Sequence, residues 1–318
     1  MIVLDWLGRE GKHRPRQITL LFGLGLIGSA ALTALLSRAP ARPQHLPFDW
    51  QQDRNWQDQT SAILSAVGRL AGAPDEEVRI DVIWSAGNAG FGSSVEDLTR
   101  EERAFEQVME LSGRLGRLSD SLGFHFLSSA GGLFEGQTIV DAASAPAPLR
   151  PYGHAKLSQE ARLAALLPSQ DTFIYRATSV YGFAGARARQ GLVAALVQNA
   201  IRYRTTRITA RSDTIRDYVF ADDVGSFIAD QVAGPRLHAV RTYILASGKP
   251  TSMMELVAIV QGTLQRQLFF QYEARPTNAR DISVRPSALP RTWQPTPLAI
   301  GVYRTAERVM SAYRVTTG

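Results

Sequence analysis

Ile18-Thr19-Leu20-Leu21-Phe22-Gly23-Leu24-Gly25-Leu26-Ile27-Gly28 decides the fold of this 318-residue chain. A short apolar strand runs into Gly23-x-Gly25-x-x-Gly28, and Ser29 to Leu36 continues as an Ala/Leu-rich helix. Strand, glycine turn and helix in this order make the phosphate-binding corner of a dinucleotide site. Gly23 permits the tight turn, Gly25 lets a pyrophosphate approach the backbone, and Gly28 lets helix pack on strand. The free N–H groups and dipole at the helix start favour the anion. Leu26 and Ile27, inside the turn, count with the glycines as cofactor-binding residues.

A second strand is expected over Gln44-His45-Leu46-Pro47-Phe48-Asp49, ending on a carboxylate 21 residues after Gly28. An acid there accepts hydrogen bonds from the ribose hydroxyls and repels a 2′-phosphate, which points to NAD. Pro43 and Pro47 make it a poor strand, and Arg38 or Arg42 is the alternative partner, for a 2′-phosphate. Residues 12–41 also imitate a secretory signal or a membrane helix, with a basic flank, an apolar run and small residues after it. An anchor over residues 17–36 is therefore a competing reading of the glycine turn.

The chemistry is carried by Pro151-Tyr152-Gly153-His154-Ala155-Lys156, read as the start of a helix. Side chains at i and i+4 share a helix face. A phenol with a pKa of ~10 is a poor base at neutral pH, and a nearby ammonium favours its phenolate. The pair Tyr152/Lys156 thus suits proton removal from an alcohol, or proton return to a carbonyl oxygen. Ser128-Ser129 close the apolar run Phe124 to Leu127 upstream.

Apolar strands and helical segments alternate along the chain. Gln59 to Leu70 reads as a helix, and Arg79 to Trp84 as a buried strand ending in small residues that include Ala86 and Gly87. A helix over Glu101 to Leu118, the strand at Phe124, the Tyr152 helix and a strand over Thr172 to Arg176 follow. This alternation predicts an α/β fold, a doubly wound parallel sheet covered by helices. Hydrophobic content of 45% and charged content of 20% fit a globular enzyme. With no cysteine, disulfides and thiolate catalysis are excluded, and the five histidines show no metal-ligand spacing. The net charge of +6 is scattered without a basic block, which argues against nucleic acid and suits an anionic substrate.

Together these motifs resemble the extended short-chain dehydrogenases/reductases, in particular the NAD-dependent epimerase/dehydratase family that acts on nucleotide sugars. The resemblance covers roughly residues 18 to 310. Ser128 to Gly136 is similar to the family's Ser-Ser-x-x-x-Val-Tyr-Gly, and Arg176 to Gly182 to Arg-Pro-x-Asn-Val-Tyr-Gly. Arg216-Asp217-Tyr218-Val219-Phe220-Ala221-Asp222-Asp223-Val224 is close to Arg-Asp-Tyr-Ile-His-Val-Asp-Asp-Val. Trp293-Gln294-Pro295 with Gly301 matches a further motif near the end.

The resemblance implies a Rossmann-type domain over residues 17–177, to which 214–247 return, behind an N-terminal extension of residues 1–16. Residues 178–213 and 248–318 then form a smaller C-terminal α/β substrate-binding domain. It implies Tyr152 as general acid/base, Lys156 on the nicotinamide ribose, and a serine of the pair Ser128/Ser129 on the reacting sugar oxygen. Arg216 and Arg275 would pair with a substrate diphosphate, for which a guanidinium fork is suited. It further implies a homodimer through the Tyr152 helix and the helix before it, a cytoplasmic location, and no membrane partner.

Departures narrow the reaction. Ala130 stands where the catalytic Ser/Thr usually does, so Ser129 must act from the adjacent position. Ser179 replaces the asparagine that contacts substrate phosphate, Glu135 looks inserted before Gly136, and the helix asparagine expected near Phe105/Glu106 is missing. Gly131 and Gly132 occupy the places where dehydratases carry Asp-Glu, and decarboxylating members a glutamate. Members that epimerise beside the carbonyl use a cysteine, which is absent. What remains is hydride removal and return at one carbon, as in a 4-epimerase. The alternatives are an NAD(P)-dependent ketone reductase and a weakly catalytic dinucleotide-binding protein.

Overall fold

The computed structural model describes residues 1–6, 15–49, 55–72, 77–87, 89–90, 92–166, 170–185, 190–273 and 280–316. Its first strand is β1 (Ile2–Trp6), followed by β2 (Arg16–Phe22), α1 (Leu26–Arg38) and β3 (Ala41–His45). Then come α2 (Trp56–Ala71), β4 (Val78–Trp84), α3 (Val95–Leu115), β5 (Ser121–Ser129), the single turn α4 (Ala130–Leu133) and β6 (Ile139–Val140). The catalytic-pair helix is α5 (Pro151–Leu166), followed by β7 (Asp171–Ala177), β8 (Ser179–Tyr181), α6 (Leu192–Ile201) and β9 (Thr205–Ile208). The chain continues through β10 (Ile215–Phe220), α7 (Ala221–Ala233), β11 (Val240–Leu245), β12 (Pro250–Ser252) and α8 (Met253–Leu264). It ends with β13 (Phe269–Tyr272), β14 (Ser283–Val284) and α9 (Leu298–Thr316).

Seven strands form the main sheet in the order β11-β7-β5-β4-β2-β1-β3. From β11 to β2 all neighbours are parallel. Side-chain alternation divides the sheet residues between two cores. Ile18, Leu20, Phe22, Ile80, Val82 and Trp84 pack with α2 and α3 on one face. Leu21, Ile83, Phe173 and Tyr175 pack with α1 and α7 on the other. This is the doubly wound α/β architecture. A third core joins α6, α8 and α9 to Tyr181, Tyr218 and Phe220 from the small sheet β12-β10-β8.

Two expectations are corrected at the other end of the sheet. Ile2–Trp6, expected to be part of an extension outside the fold, is an interior strand. It runs antiparallel to β2, with Ile2 opposite Leu21, and antiparallel to β3, with Ile2 opposite His45. The run Ile2-Val3-Leu4 is almost wholly inaccessible, with Val3 facing one core and Ile2 and Leu4 the other. In the usual doubly wound order the strand after the first helix lies directly beside the glycine strand. Here β1 takes that place and β3 is displaced one strand outward. The second strand also spans Ala41–His45 rather than residues 44–49. Pro43 is tolerated in it because β3 is an edge strand, paired among the described strands with β1 alone.

Residues 17–22, which the competing reading assigned to an anchor over 17–36, belong to the strand β2. Among the described residues no helix is long and apolar enough to cross a membrane.

Candidate active site

The glycine turn sits at the carboxyl end of β2, held by its neighbours. Gly23 has φ +89°, which favours glycine, and a Cβ there would overlap the backbone of Ala86 at the end of β4. The single Ser85 hydroxyl is shared between the carbonyls of Phe22 (2.9 Å) and Gly23 (2.8 Å), fixing the two strand ends together. A Cβ on Gly28 would collide with the Gly23 carbonyl, so α1 can approach the turn only through glycine. Over Gly25, by contrast, no heavy atom lies within 4 Å of a Cβ position. α1 begins there with no capping side chain and no acidic residue in its first turn, and Leu26 and Ile27 belong to that turn. Open space and uncapped amides fit a pyrophosphate.

Asp49 is exposed and follows β3. Although β3 is displaced, residues 46–49 return across the end of β1. Leu46 N donates to the Met1 carbonyl (3.2 Å), and the Phe48 ring meets Phe22 edge-on at 4.8 Å between centroids. Asp49 therefore lies one residue beyond a side chain touching the last residue of β2. Its backbone N–H donates to Gln59 Oε1 at 2.7 Å, which anchors it to α2. Of the alternative phosphate partners, Arg38 is locked between helices by Ser226 and Asp230. Arg42 stands opposite Asp5, at the end of β3 remote from the glycine turn.

The catalytic candidates meet where α4 crosses α5. A Cβ on Gly153 would overlap the Gly132 carbonyl oxygen, and one on Gly132 would stand 3.1 Å from the Tyr152 ring. Ser129 caps α4 by accepting from Gly132 N at 3.1 Å, so its hydroxyl and the Tyr152 ring border the same glycine. Ser128, one residue earlier, points elsewhere: its buried hydroxyl donates to Glu160 Oε1 at 2.5 Å, and Glu160 is in turn bound by Arg176. Lys156 Nζ lies 5.9 Å from the Tyr152 ring centroid.

Lys156 has a partner that the sequence reading missed. Its ammonium donates to Glu101 Oε1 at 2.9 Å and to Gln159 Oε1 at 3.1 Å. Burial works against the lysine charge, but Glu101, with Tyr152 and Glu160, outweighs it and holds the pKa above the ordinary value. Phe105, where an asparagine was sought, is instead buried in the core of the sheet face. A cluster of acids at Glu101, Glu102 and Glu106 near the start of a helix was the available signal, but only packing shows which one faces inward.

On the substrate side, Arg216 of β10 donates to the Ile215 carbonyl (2.9 Å) and to the Arg280 carbonyl. Burial lowers its pKa, Tyr218, Asp281 and Glu135 oppose that, and Arg150 adds to it. Ser179 opens β8, paired with Tyr218 two residues along from Arg216. Arg275 lies outside the described residues. Arg280 Nη1 stands 3.1 Å from where a Cβ on Gly136 would be, and Glu135 pairs with Arg150 at 2.5 Å. Asp217 of the Arg-Asp-Tyr motif is structural, accepting from Ser247 N (2.6 Å) and Gly248 N (2.9 Å). Among the described residues no three His, Asp or Glu side chains are grouped to hold a metal ion.

Residues 20–232, two thirds of the chain, match the NAD-dependent epimerase/dehydratase family. The chain belongs to that family. It is accordingly an NAD-dependent enzyme of the epimerase/dehydratase type, and NAD is its cofactor. No curated protein matches the sequence. Solved structures share the fold at low identity. UDP-glucose 4-epimerase of Thermotoga maritima with UDP-glucose is 19% identical, covering 94% of this chain and 99% of its own, with a TM-score of 0.70. The Thermus thermophilus UDP-glucose 4-epimerase with NAD is 18% identical over 93% and 99%, with a TM-score of 0.71. UDP-glucuronic acid 4-epimerase of Bacillus cereus, with UDP-glucuronic acid and NAD, is 15% identical over 93% and 100%, also at 0.71.

Proposed function

We propose that this family member acts on a nucleotide-activated sugar, removing and returning a hydride at one hydroxyl carbon, as a 4-epimerase does. The observation that carries the reading is the α4–α5 crossing. It sets Ser129 and Tyr152 about one glycine, and the residues at 131 and 132 are glycines, which carry no proton-transfer group. Tyr152 takes the sugar hydroxyl proton as the carbonyl forms and gives it back when the alcohol is restored. Ser129 holds the same oxygen. Lys156, with its ammonium 5.9 Å from the centre of the Tyr152 ring, would hold the nicotinamide ribose. Bound NAD would accept the hydride and return it.

Gly23, Gly25, Leu26, Ile27 and Gly28 hold the pyrophosphate in this reading, Asp49 the ribose, and Ala86 and Gly87 the edge of the nicotinamide side. Arg216, with Arg275 and Ser179, receives the substrate diphosphate. The relatives with UDP-glucose and UDP-glucuronic acid support this substrate class.

Incubating the protein with a panel of nucleotide sugars and NAD, with products read by NMR, tests the proposal. Interconversion of two epimers without net NADH supports it. Stoichiometric NADH consumption with a keto sugar makes the protein a reductase. Cofactor binding without any turnover makes it a dinucleotide-binding protein.

The same reading includes a homodimer through α3 and α5. Between these helices lies a groove of about 950 Å³ lined by Met109, Gly113, Arg117, Arg162 and Ala165 among others. Sedimentation showing only monomer at micromolar concentration rules the dimer out.

A further inference from the structure

We propose that Glu101 is a positioning residue of this active site: its carboxylate fixes Lys156 and balances the buried charge of that lysine. The proposal rests on Tyr152 being the acid/base group. Both members of the pair are nearly inaccessible, Glu101 at 3% and Lys156 at 5% exposure, and their contact is 2.9 Å. The second carboxylate oxygen accepts from Ala89 N at 3.0 Å, and a Cβ on Gly87 would stand 2.8 Å from the first. Glu101 thus joins three parts of the site: α3, the catalytic helix α5, and the loop after β4 whose Ala86 supports the glycine turn.

A buried ammonium has three N–H groups to place. Glu101 and Gln159 take two of them, which fixes the direction of the third. The pair also has an electrostatic effect. Burial disfavours a charged lysine, and a carboxylate in contact with the ammonium restores the charged form. Among the described residues, the groups facing Lys156 are Glu101 from α3, Gln159, Glu160 and Tyr152 from α5, and the Phe126 ring of β5 at 5.1 Å. Glu160 is already bound by Ser128 and Arg176, so Glu101 is the carboxylate in direct contact with the lysine.

Glu101→Gln keeps the shape and removes the charge, so burial is left to act on Lys156 and its ammonium gives up its proton at lower pH. The midpoint of the alkaline limb of the pH–rate profile should move to lower pH accordingly. NADH titration across the same pH range reads the change without turnover, with affinity reduced as the lysine loses its charge and its fixed orientation.

Glu101→Asp keeps the charge and shortens the reach, so it should return the midpoint most of the way to wild type. It also serves as the test if Glu101→Gln does not fold, because a purely structural role predicts lost stability with an unmoved midpoint. An unchanged midpoint and unchanged NADH affinity in a folded Glu101→Gln protein overturn the proposal. If Tyr152→Phe retains full turnover, it is the acid/base assignment that falls, whatever Glu101 does.

Discussion

Gly153 and Gly132 approach each other so closely that a methyl group on the first would overlap the carbonyl oxygen of the second. Alanine in a helix interior is favoured over glycine by ~1 kcal/mol. An overlap with fixed backbone costs about 1–3 kcal/mol, so strain outweighs propensity here. Gly153→Ala should lower the melting temperature and separate Tyr152 from Ser129. We expect kcat to fall at least tenfold while NAD affinity changes little, which steady-state kinetics and a cofactor titration check together.

The two serines should separate in kind. Ser129→Ala removes the hydroxyl that shares Gly132 with the Tyr152 ring and is expected to reduce kcat by about 10-fold with the fold intact, less than the ~10²–10⁴ loss expected of Tyr152→Phe. Ser128→Ala leaves the buried Glu160–Arg176 pair short of one hydrogen bond, which costs about 1–3 kcal/mol. Its effect should appear in thermal melting more than in rate. A larger rate loss in Ser128→Ala than in Ser129→Ala would make Ser128 the catalytic serine.

Cofactor choice should depend on Asp49. With Arg38 held by α7 and Arg42 at the far end of β3, neither alternative arginine reaches the ribose end of the site. Titration should show NAD(H) bound more tightly than NADP(H). Asp49→Ala should weaken NAD(H) and narrow the difference, without creating tight NADP(H) binding.

Acid should destabilise the protein through Asp81. Burial alone would raise this carboxyl's pKa, but Arg236, His125 and Arg79 outweigh burial and bring it to about 2. A group whose pKa is depressed on folding adds stability above its unfolded pKa of ~4. That stability is lost as pH falls from about 4 through about 2. Burial also lowers the pKa of His125, against the pull of Asp81, so its contribution declines earlier, below the unfolded value of ~6.5. Melting temperature measured from pH 8 downward should therefore fall in two stages. Asp81→Asn should abolish the lower stage and cost about 3–5 kcal/mol at neutral pH, by leaving Arg236 buried without its partner.

Much of the fold was legible because its signals are local. The glycine turn needs only eleven adjacent residues, and Tyr152 and Lys156 lie one helical turn apart. The place of β1 was not legible. A short Ile-Val-Leu run carries no indication of which strands will flank it, because pairing is decided by residues far along the chain. Pro43 obscured β3 for a related reason: whether a proline is tolerated depends on whether the strand is at an edge, a property of the finished sheet. At the site, the Tyr/Lys pair could be read from spacing, and the Glu101 contact could not. Each helical residue turns the side chain about 100°, so the acid that meets Lys156 is fixed only once α3 and α5 are packed.

The inserted strand has a consequence for how the molecule is built. Ile2 meets both Leu21 and His45, so three of the seven strands are joined by antiparallel pairing within one short stretch of chain. Such pairings have small loop-closure costs and form quickly compared with parallel crossovers. A corner of the protein can therefore assemble while the remainder is still being synthesised, before Ala86 is available to support the glycine turn. Substitutions within residues 2–6 would act at that stage. They would leave the β2 edge open to pairing with another chain, and their first symptom would be poor solubility on expression rather than a change in catalysis.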